Sequence, residues 1–496
     1  MTTPVPPGDL TWLHMDRPNN LMYVHGLLWL AERPDWDAVE QVVRDRLIGR
    51  FPVFARRAAK VQGTWVWEDD PDFELDRHLR RVTLDEPGTL GQAQQHISTR
   101  FSQPFDRSRP LWEIDLIDGV RGLDGDADGD GDGDGAMVLA RFHHGIADGV
   151  RLVQVLLSLL DPLSDDATPS RVGRRGRRGG AASGAVRAAR HVATGTADLV
   201  SGMGSTLSGS RGWVTRLRPH DVAQGAALIR HPTRVVDTVT GVASEQNKLA
   251  NTWRSLGRLT LSGRSVDTVW SGTPGVEKRV AWVTGLSLAD VKVVGRRHGV
   301  TINDVLLAAV SLGVTDYLAA KGDTEVDQLN WLIPVSLKPI DAALPTELGN
   351  HFALVMLPMP LGISEPDRLL REIRTRMSRI KNSAEPAVLY GVQRAVAETP
   401  AAVSVRLTNY VADKAVGILT NVPGPRAPMA LAGTEVSGVL GWVPTSGNQP
   451  LGVCIFSYNG TVNIGIASDA ALLPDPQVLG DYIERAVQGL VSSATP

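Results

Sequence analysis

The sequence predicts an α/β chain, of the α+β kind, folded in two halves. Three observations lead there. The chain has 496 residues, more than one hydrophobic core usually organises. Strand-like and helix-like apolar patterns alternate over residues 8–160 and again from residue 277 onward. Between them, residues 163–265 turn basic and rich in glycine and alanine. The predicted units are 1–162, a linker with surface helices at 163–270, and 271–496. Apolar residues make up 43% and charged residues 21%, the balance of a globular chain. A net charge of -3 argues against a nucleic-acid partner.

In the first half, Met22–Leu30 reads as a strand and Asp35–Val43 as a helix capped by Asp35. Trp65–Trp67 is a further strand. Pro110 stops any helix before it, and Trp112–Ile117 alternates as a strand should. Gly122–Gly135 spaces its carboxylates as a calcium loop does. Its last position is Gly135 instead of glutamate, however, and no helix flanks it. It reads as a solvated hairpin loop, and no metal site is expected.

In the linker, Arg171–Gly180 is basic and glycine-rich and reads as unstructured. Residues 185–197 and 222–239 have amphipathic helical patterns, the second split by Pro232. Such segments suit either an anionic lipid surface or ordinary packing on the protein. In the second half, Lys278–Val283 is a strand, and Ser287 and then Thr301 or Asn303 cap two helices. Leu332–Leu337 and Gly349–Leu357 are strands, Asp367–Lys381 an amphipathic helix, and Thr420–Pro425 a tight apolar turn. Leu451–Ile466 reads as a hairpin turning at Asn459-Gly460.

The N-terminus has no basic segment followed by an apolar one, so no signal peptide is read. No apolar run reaches the roughly 18 residues of a membrane span; the closest, Val305–Val310, is flanked by Asn303, Asp304 and Asp316. Cys454 is the only cysteine, which excludes an intrachain disulfide and reads as an inert core thiol.

Chemistry concentrates in Arg141-Phe142-His143-His144-Gly145-Ile146-Ala147-Asp148-Gly149. Ala136–Ala140 before it reads as a buried strand and Leu152–Leu157 after it as a helix. Strand alternation sets His144 with Val138, Ala140 and Phe142, and His143 with Leu139 and Arg141. Only one of the two histidines then faces a given cavity. No GxSxG, P-loop, GxGxxG or HExxH pattern competes.

His143-His144-x-x-x-Asp148-Gly149 resembles the HHxxxDG signature of the CoA-dependent acyltransferase superfamily. Other segments narrow the resemblance to the bacterial wax ester synthase / diacylglycerol acyltransferase family. They are Pro110-Leu111-Trp112, Thr301–Asp304, Ile333–Leu337, Gly349-Asn350, Asn421–Pro425 and Phe456–Gly460, in that order. The acidic loop and the basic linker fall outside the match.

The resemblance implies two similar chloramphenicol-acetyltransferase-like subdomains with mixed sheets and a tunnel between them. Acyl-CoA would enter from one side and the acceptor alcohol from the other. His144 is then the general base, with His143, Asp148 and Gly149 supporting the loop. Asn303, or a backbone N–H near Gly145, is a candidate oxyanion donor. Pro110, Leu111, Trp112 and Asp304 are candidate substrate contacts. Plainer readings stand beside these: an apolar strand start for Pro110–Trp112, helix capping for Asn303-Asp304, a turn brace for Asp148.

The implied activity is transfer of a long-chain acyl group from acyl-CoA to diacylglycerol, giving triacylglycerol, or to a fatty alcohol, giving a wax ester. No cofactor is implied beyond acyl-CoA as substrate. The expected location is cytoplasmic, with peripheral contact to a membrane or lipid droplet left open. A neutral imidazole can take the hydroxyl proton as the alcohol attacks the thioester, a contribution of roughly 100- to 10,000-fold. Two other readings stay open: a condensation-like acyltransferase with an acyl-carrier donor, and a non-catalytic lipid-binding relative.

Overall fold

Sixteen strands and ten α-helices alternate along the described part of the chain, which in this computed structural model comprises residues 2–122, 135–163, 266–337 and 344–494. The acidic loop and the basic segment, with both of its helix readings, lie outside the described residues. The strands of the first half are β1 (Thr2–Pro4), β2 (Tyr23–Leu30), β3 (Arg56–Val61), β4 (Thr64–Asp69), β5 (Leu79–Thr83), β6 (Trp112–Val120), β7 (Gly135–His143) and β8 (Asp161–Pro162). Those of the second are β9 (Lys278–Ser287), β10 (Gln328–Ser336), β11 (Phe352–Pro360), β12 (Gly417–Pro423), β13 (Met429–Leu431), β14 (Thr434–Trp442), β15 (Leu451–Tyr458) and β16 (Thr461–Asp469). The helices are α1 (Pro7–Met15), α2 (Trp36–Val42), α3 (Leu90–Phe101), α4 (Gly149–Leu157), α5 (Leu288–His298), α6 (Ile302–Ala320), α7 (Pro366–Lys381), α8 (Glu385–Ala397), α9 (Ala401–Ala412) and α10 (Pro476–Ala494).

Two large mixed sheets result. The first has seven strands in the order β5-β6-β7-β2-β14-β13-β8, the second six in the order β11-β10-β12-β15-β16-β9. A small sheet, β1-β4-β3, stands beside the first. Parallel pairs occur at β5/β6, β10/β12 and β12/β15. Every residue of β2 and β7 is buried, because apolar layers cover both faces of the first sheet. Helix α4 lies so close to β2 that a Cβ on Gly26 would come within 2.5 Å of Leu156 Cδ2.

Two sequence expectations need correction. Thr420–Pro423 are not a turn but the end of β12, paired in parallel with Cys454–Ser457 of β15. The Gly-Pro pair that follows is what mimics a turn in sequence. Second, a boundary at residue 271 does not separate the two sheets. β14 pairs with β2 from Val436↔Leu30 to Trp442↔His25, so a ribbon from the second half completes the first sheet. Tyr458 pins that ribbon: its hydroxyl accepts from Met429 N and donates to Val436 O, each at 2.8 Å.

Local readings at caps and turns match their elements. Asp35 accepts from Asp37 N and Ala38 N at the head of α2, and Ser287 accepts from Asp290 N at the head of α5. Asn459 and Gly460 turn the β15–β16 hairpin with φ of 42° and 83°, the signature of a type I′ turn. Cys454 is buried in β15, and burial pushes its thiol up to about 12.

Helix α6 is long and apolar enough to cross a membrane by length and composition. It lies instead in the core of the second half, with 67% of that stretch buried, between α10, α7 and α5. At its crossing with α10, a Cβ on Gly313 would sit 2.5 Å from Ile483 Cγ1 and 2.8 Å from Ile483 Cα. Gly313→Ala must therefore push α10 away. We expect it to lower the unfolding free energy by about 1–3 kcal/mol, read as an earlier midpoint in urea. An unchanged midpoint would show that the two helices yield there freely.

Candidate active site

Strand β7 ends at His143, and the chain then turns through Gly145 into α4. Both histidines are fastened by backbone bonds that extend the sheet past its formal edge. His143 N donates to Leu111 O at 3.0 Å, and His144 N to Met22 O at 2.7 Å. The rings point apart, as alternation requires.

The His143 ring is fully buried. Gly145 N–H donates to its Nδ1 at 2.8 Å, so the ring proton belongs on Nε2. Nε2 faces Asp16 Oδ2 at 3.7 Å, an electrostatic contact too long for a hydrogen bond. Burial pushes Asp16 up, but the His143 ring, Arg107 and the Met22 N–H outweigh it and hold its carboxyl below the usual range. The bond to His143 also occupies the Gly145 N–H, which removes it as an oxyanion donor in this conformation. Gly145, not Gly149, is where space demands glycine. A Cβ there would lie 2.9 Å from Leu13 Cδ2 and 3.0 Å from His143 Nδ1. Gly149 has ordinary backbone angles and open space around it.

His144 is 6% exposed. Its ring lies 4.2 Å from that of Trp12 on α1 and 5.4 Å from that of Phe352 on β11. Nδ1 is sealed with no hydrogen-bond partner among the described residues, whereas Nε2 is not sealed in this way. Burial pushes the imidazole down to about 4. His143 adds to that shift, while the ring's own backbone carbonyl and Asn350 oppose it without reaching Nδ1 in hydrogen-bond geometry. The ring is therefore neutral across the physiological range. The passage expected at His144 is closed here by the two aromatic rings. A groove of about 650 Å³ lies nearby, lined by His14 of α1 and by Ala402, Val405, Arg406 and Tyr410 of α9, but not by His144.

Asp148 is the N-cap of α4. Its Oδ1 accepts from Arg151 N at 2.9 Å and its Oδ2 from His351 N at 3.0 Å. Burial raises its carboxyl above the usual value, and those N–H groups hold the rise back. Gly349 O accepts from Asp148 N, and Asn350 Nδ2 donates to His144 O at 2.9 Å. The lead-in to β11 thus grips the histidine turn at three points.

Residues 6–306 match the wax ester synthase/diacylglycerol acyltransferase catalytic domain, and residues 348–490 match the WS/DGAT C-terminal domain. The chain belongs to the wax ester synthase/diacylglycerol acyltransferase family. It is 28% identical over 474 residues to a Mycobacterium tuberculosis protein named probable diacylglycerol O-acyltransferase tgs1, covering 92% of this chain and 89% of that one. It is 22% identical over 501 residues to O-acyltransferase WSD of Acinetobacter baylyi, covering 98% and 96%. Among solved structures, the wax ester synthase/diacylglycerol acyltransferase from Marinobacter aquaeolei VT8 is similar with a TM-score of 0.65 at 19% identity, over 99% of this chain and 100% of that one. The first condensation domain of the calcium-dependent antibiotic synthetase is similar with a TM-score of 0.55 at 14% identity, over 100% and 96%. The mixed two-sheet fold is thus that of this acyltransferase and of condensation domains, and the chain is an acyltransferase.

Several residues of the family's motifs take structural positions. Pro110, Leu111 and Trp112 are buried. Leu111 supplies the carbonyl that holds His143, and Trp112 Nε1 donates to Phe54 O at 2.7 Å. Asp304 completes a capping box with Thr301 at the head of α6 through its Oδ2. Asn303 accepts from Asn421 Nδ2 at 3.0 Å; its described contact is with β12 and not with His144. The residues that do surround His144 are Trp12, Asn350 and Phe352. Sequence reasoning assigned them no role, although Gly349-Asn350 was already legible as a motif.

Asp148→Ala removes a helix cap and leaves two buried N–H groups unmet. We expect a loss of about 1–3 kcal/mol in urea unfolding. Asp148→Asn should lose clearly less, since asparagine caps a helix as well as aspartate. Equal losses would show that the cap contributes nothing.

Proposed function

We propose that this acyltransferase moves a long-chain acyl group from acyl-CoA to the hydroxyl of diacylglycerol or of a fatty alcohol, with His144 as general base. One observation carries the reading: a neutral imidazole, whose Nδ1 has no partner among the described residues, lies against two mutually stacked aromatic rings at the turn that the HHxxxDG motif builds. Those rings form an apolar wall that suits alkyl chains.

In the proposed step, the acceptor oxygen attacks the thioester carbonyl and the imidazole takes the hydroxyl proton. The carbon–sulfur bond then breaks, and the proton passes to the departing CoA thiolate. The ester and free CoA balance the step, and no cofactor enters. A ring held near 4 is a weak base, so correct protonation is assured at neutral pH but driving force is modest. Positioning of the two substrates must supply most of the acceleration. Substrate reaches the ring by turning aside the half-buried Trp12 side chain, with α1 in place.

The test is palmitoyl transfer from labelled palmitoyl-CoA, with diacylglycerol and hexadecanol offered together. The wild-type protein should form triacylglycerol, wax ester or both. His144→Ala should keep the fold and lose activity by about a hundredfold or more. Near wild-type turnover in that variant would overturn the assignment of the base. Replacing palmitoyl-CoA by the same acyl group on a carrier protein separates the two donor readings: faster transfer from the carrier would overturn acyl-CoA as donor.

A further inference from the structure

A second carboxylate converges on the histidine turn from the opposite end of the sequence. Asp9 lies in the first turn of α1 and is 5% exposed. Its Oδ1 accepts from Asn350 N at 3.1 Å and from Asn350 Nδ2 at 2.9 Å. The same Nδ2 donates to the carbonyl oxygen of His144 at 2.9 Å. One amide group therefore bridges a buried carboxylate and the backbone of the proposed base. Helix α1, which carries Asp9, also carries Trp12, whose ring covers the imidazole at 4.2 Å. Asp9 thus anchors both the floor of the His144 turn and its roof.

We propose that Asp9 is a positioning residue for the acyl transfer: acting through Asn350, its carboxylate holds the His144 backbone and seats α1 over the ring. The inference rests on His144 being the base.

Charge makes this anchor adjustable. An ionised carboxylate accepts the two Asn350 bonds far more strongly than a protonated one. No lysine or arginine pairs with Asp9 among the described residues. The groups that face it are Asp148 at the head of α4, His351 beside Asn350, and Tyr390 on α8 with Arg394 near it. On α9, Arg406 borders the groove with His14, and Asp16 follows α1. Burial pushes Asp9 up to about 7, Asp148 acts in the same direction, and the two Asn350 bonds pull partly back. Its proton is therefore taken up far above the range in which the His144 ring titrates. As pH falls through 7, the anchor weakens while the base is still neutral.

The expected result is an acid limb in kcat near pH 7 that belongs to Asp9 and not to His144. It is read with wild-type protein by labelled palmitoyl transfer to hexadecanol between pH 5.5 and 8.5. In Asp9→Asn, which cannot ionise, that limb should vanish. At pH 8 its kcat should be about ten- to a hundredfold below wild type, with KM little changed and Asp9→Glu partly restoring both rate and limb. A wild-type profile flat from pH 6 to 8 overturns the inference without any variant. So does a folded Asp9→Asn that keeps the wild-type limb. If His144→Ala is inactive while Asp9→Asn behaves as wild type, only this inference fails. If His144→Ala is active, the base assignment fails and this inference with it.

Discussion

Everything at the centre of this molecule depends on keeping one imidazole out of water without giving it a charge to meet. Burial of a polar ring costs free energy unless its hydrogen bonds are replaced. Here Nδ1 of His144 is sealed and has no partner among the described residues. The surroundings must therefore hold it by other means. They do so with backbone bonds at His144 N and His144 O and with two stacked aromatic rings against one side. His143, by contrast, is satisfied by Gly145 N–H and faces Asp16. Two adjacent histidines thus divide the work, one building the turn and the other left, among the described residues, without a partner at Nδ1.

The division explains why the two halves of the chain are interlocked. A ring enclosed from several sides needs walls from distant segments. Trp12 comes from α1, Met22 from the residue before β2, Asn350 and Phe352 from the lead-in and first residue of β11. Crossing of β14 into the first sheet ties the same halves together from another side. The site is a property of the assembled pair of sheets, and neither half encloses His144 by itself.

What was legible in the sequence is what local chemistry decides. The strand–turn–helix around His143 and His144 follows from an apolar run, a glycine and an aspartate cap. The capping box at Thr301 and Asp304 and the Asn-Gly hairpin are equally local. Alternation along β7 correctly separates the two rings. Partners across long separations are not local, and there the reading ran out. Nothing near residues 429–442 marks them as partners of β2. Pro423, Gly424 and Pro425 look like a turn because those residues usually make one, yet β12 is a parallel strand whose order is set by β15. Glycines mislead for the same reason: Gly149 belongs to the motif, but it is Gly145 that Leu13 crowds. Pro110–Trp112 and Asp304 look functional because they recur with the motif. In three dimensions Pro110–Trp112 lead into β6 and Asp304 caps α6.

The closed roof over His144 has a consequence for the chemistry proposed. A thioester beside an activated base in open water is hydrolysed, because water far outnumbers any lipid hydroxyl. With the ring 6% exposed beneath Trp12 and Phe352, water has little access until something displaces those rings. A long acyl or alkyl chain can do so, since it replaces aromatic contact with further apolar contact; a water molecule cannot. The depressed basicity of the ring and the exclusion of water then share one cause, the same apolar wall. Any change that opens the wall to strengthen the base also admits the competing nucleophile.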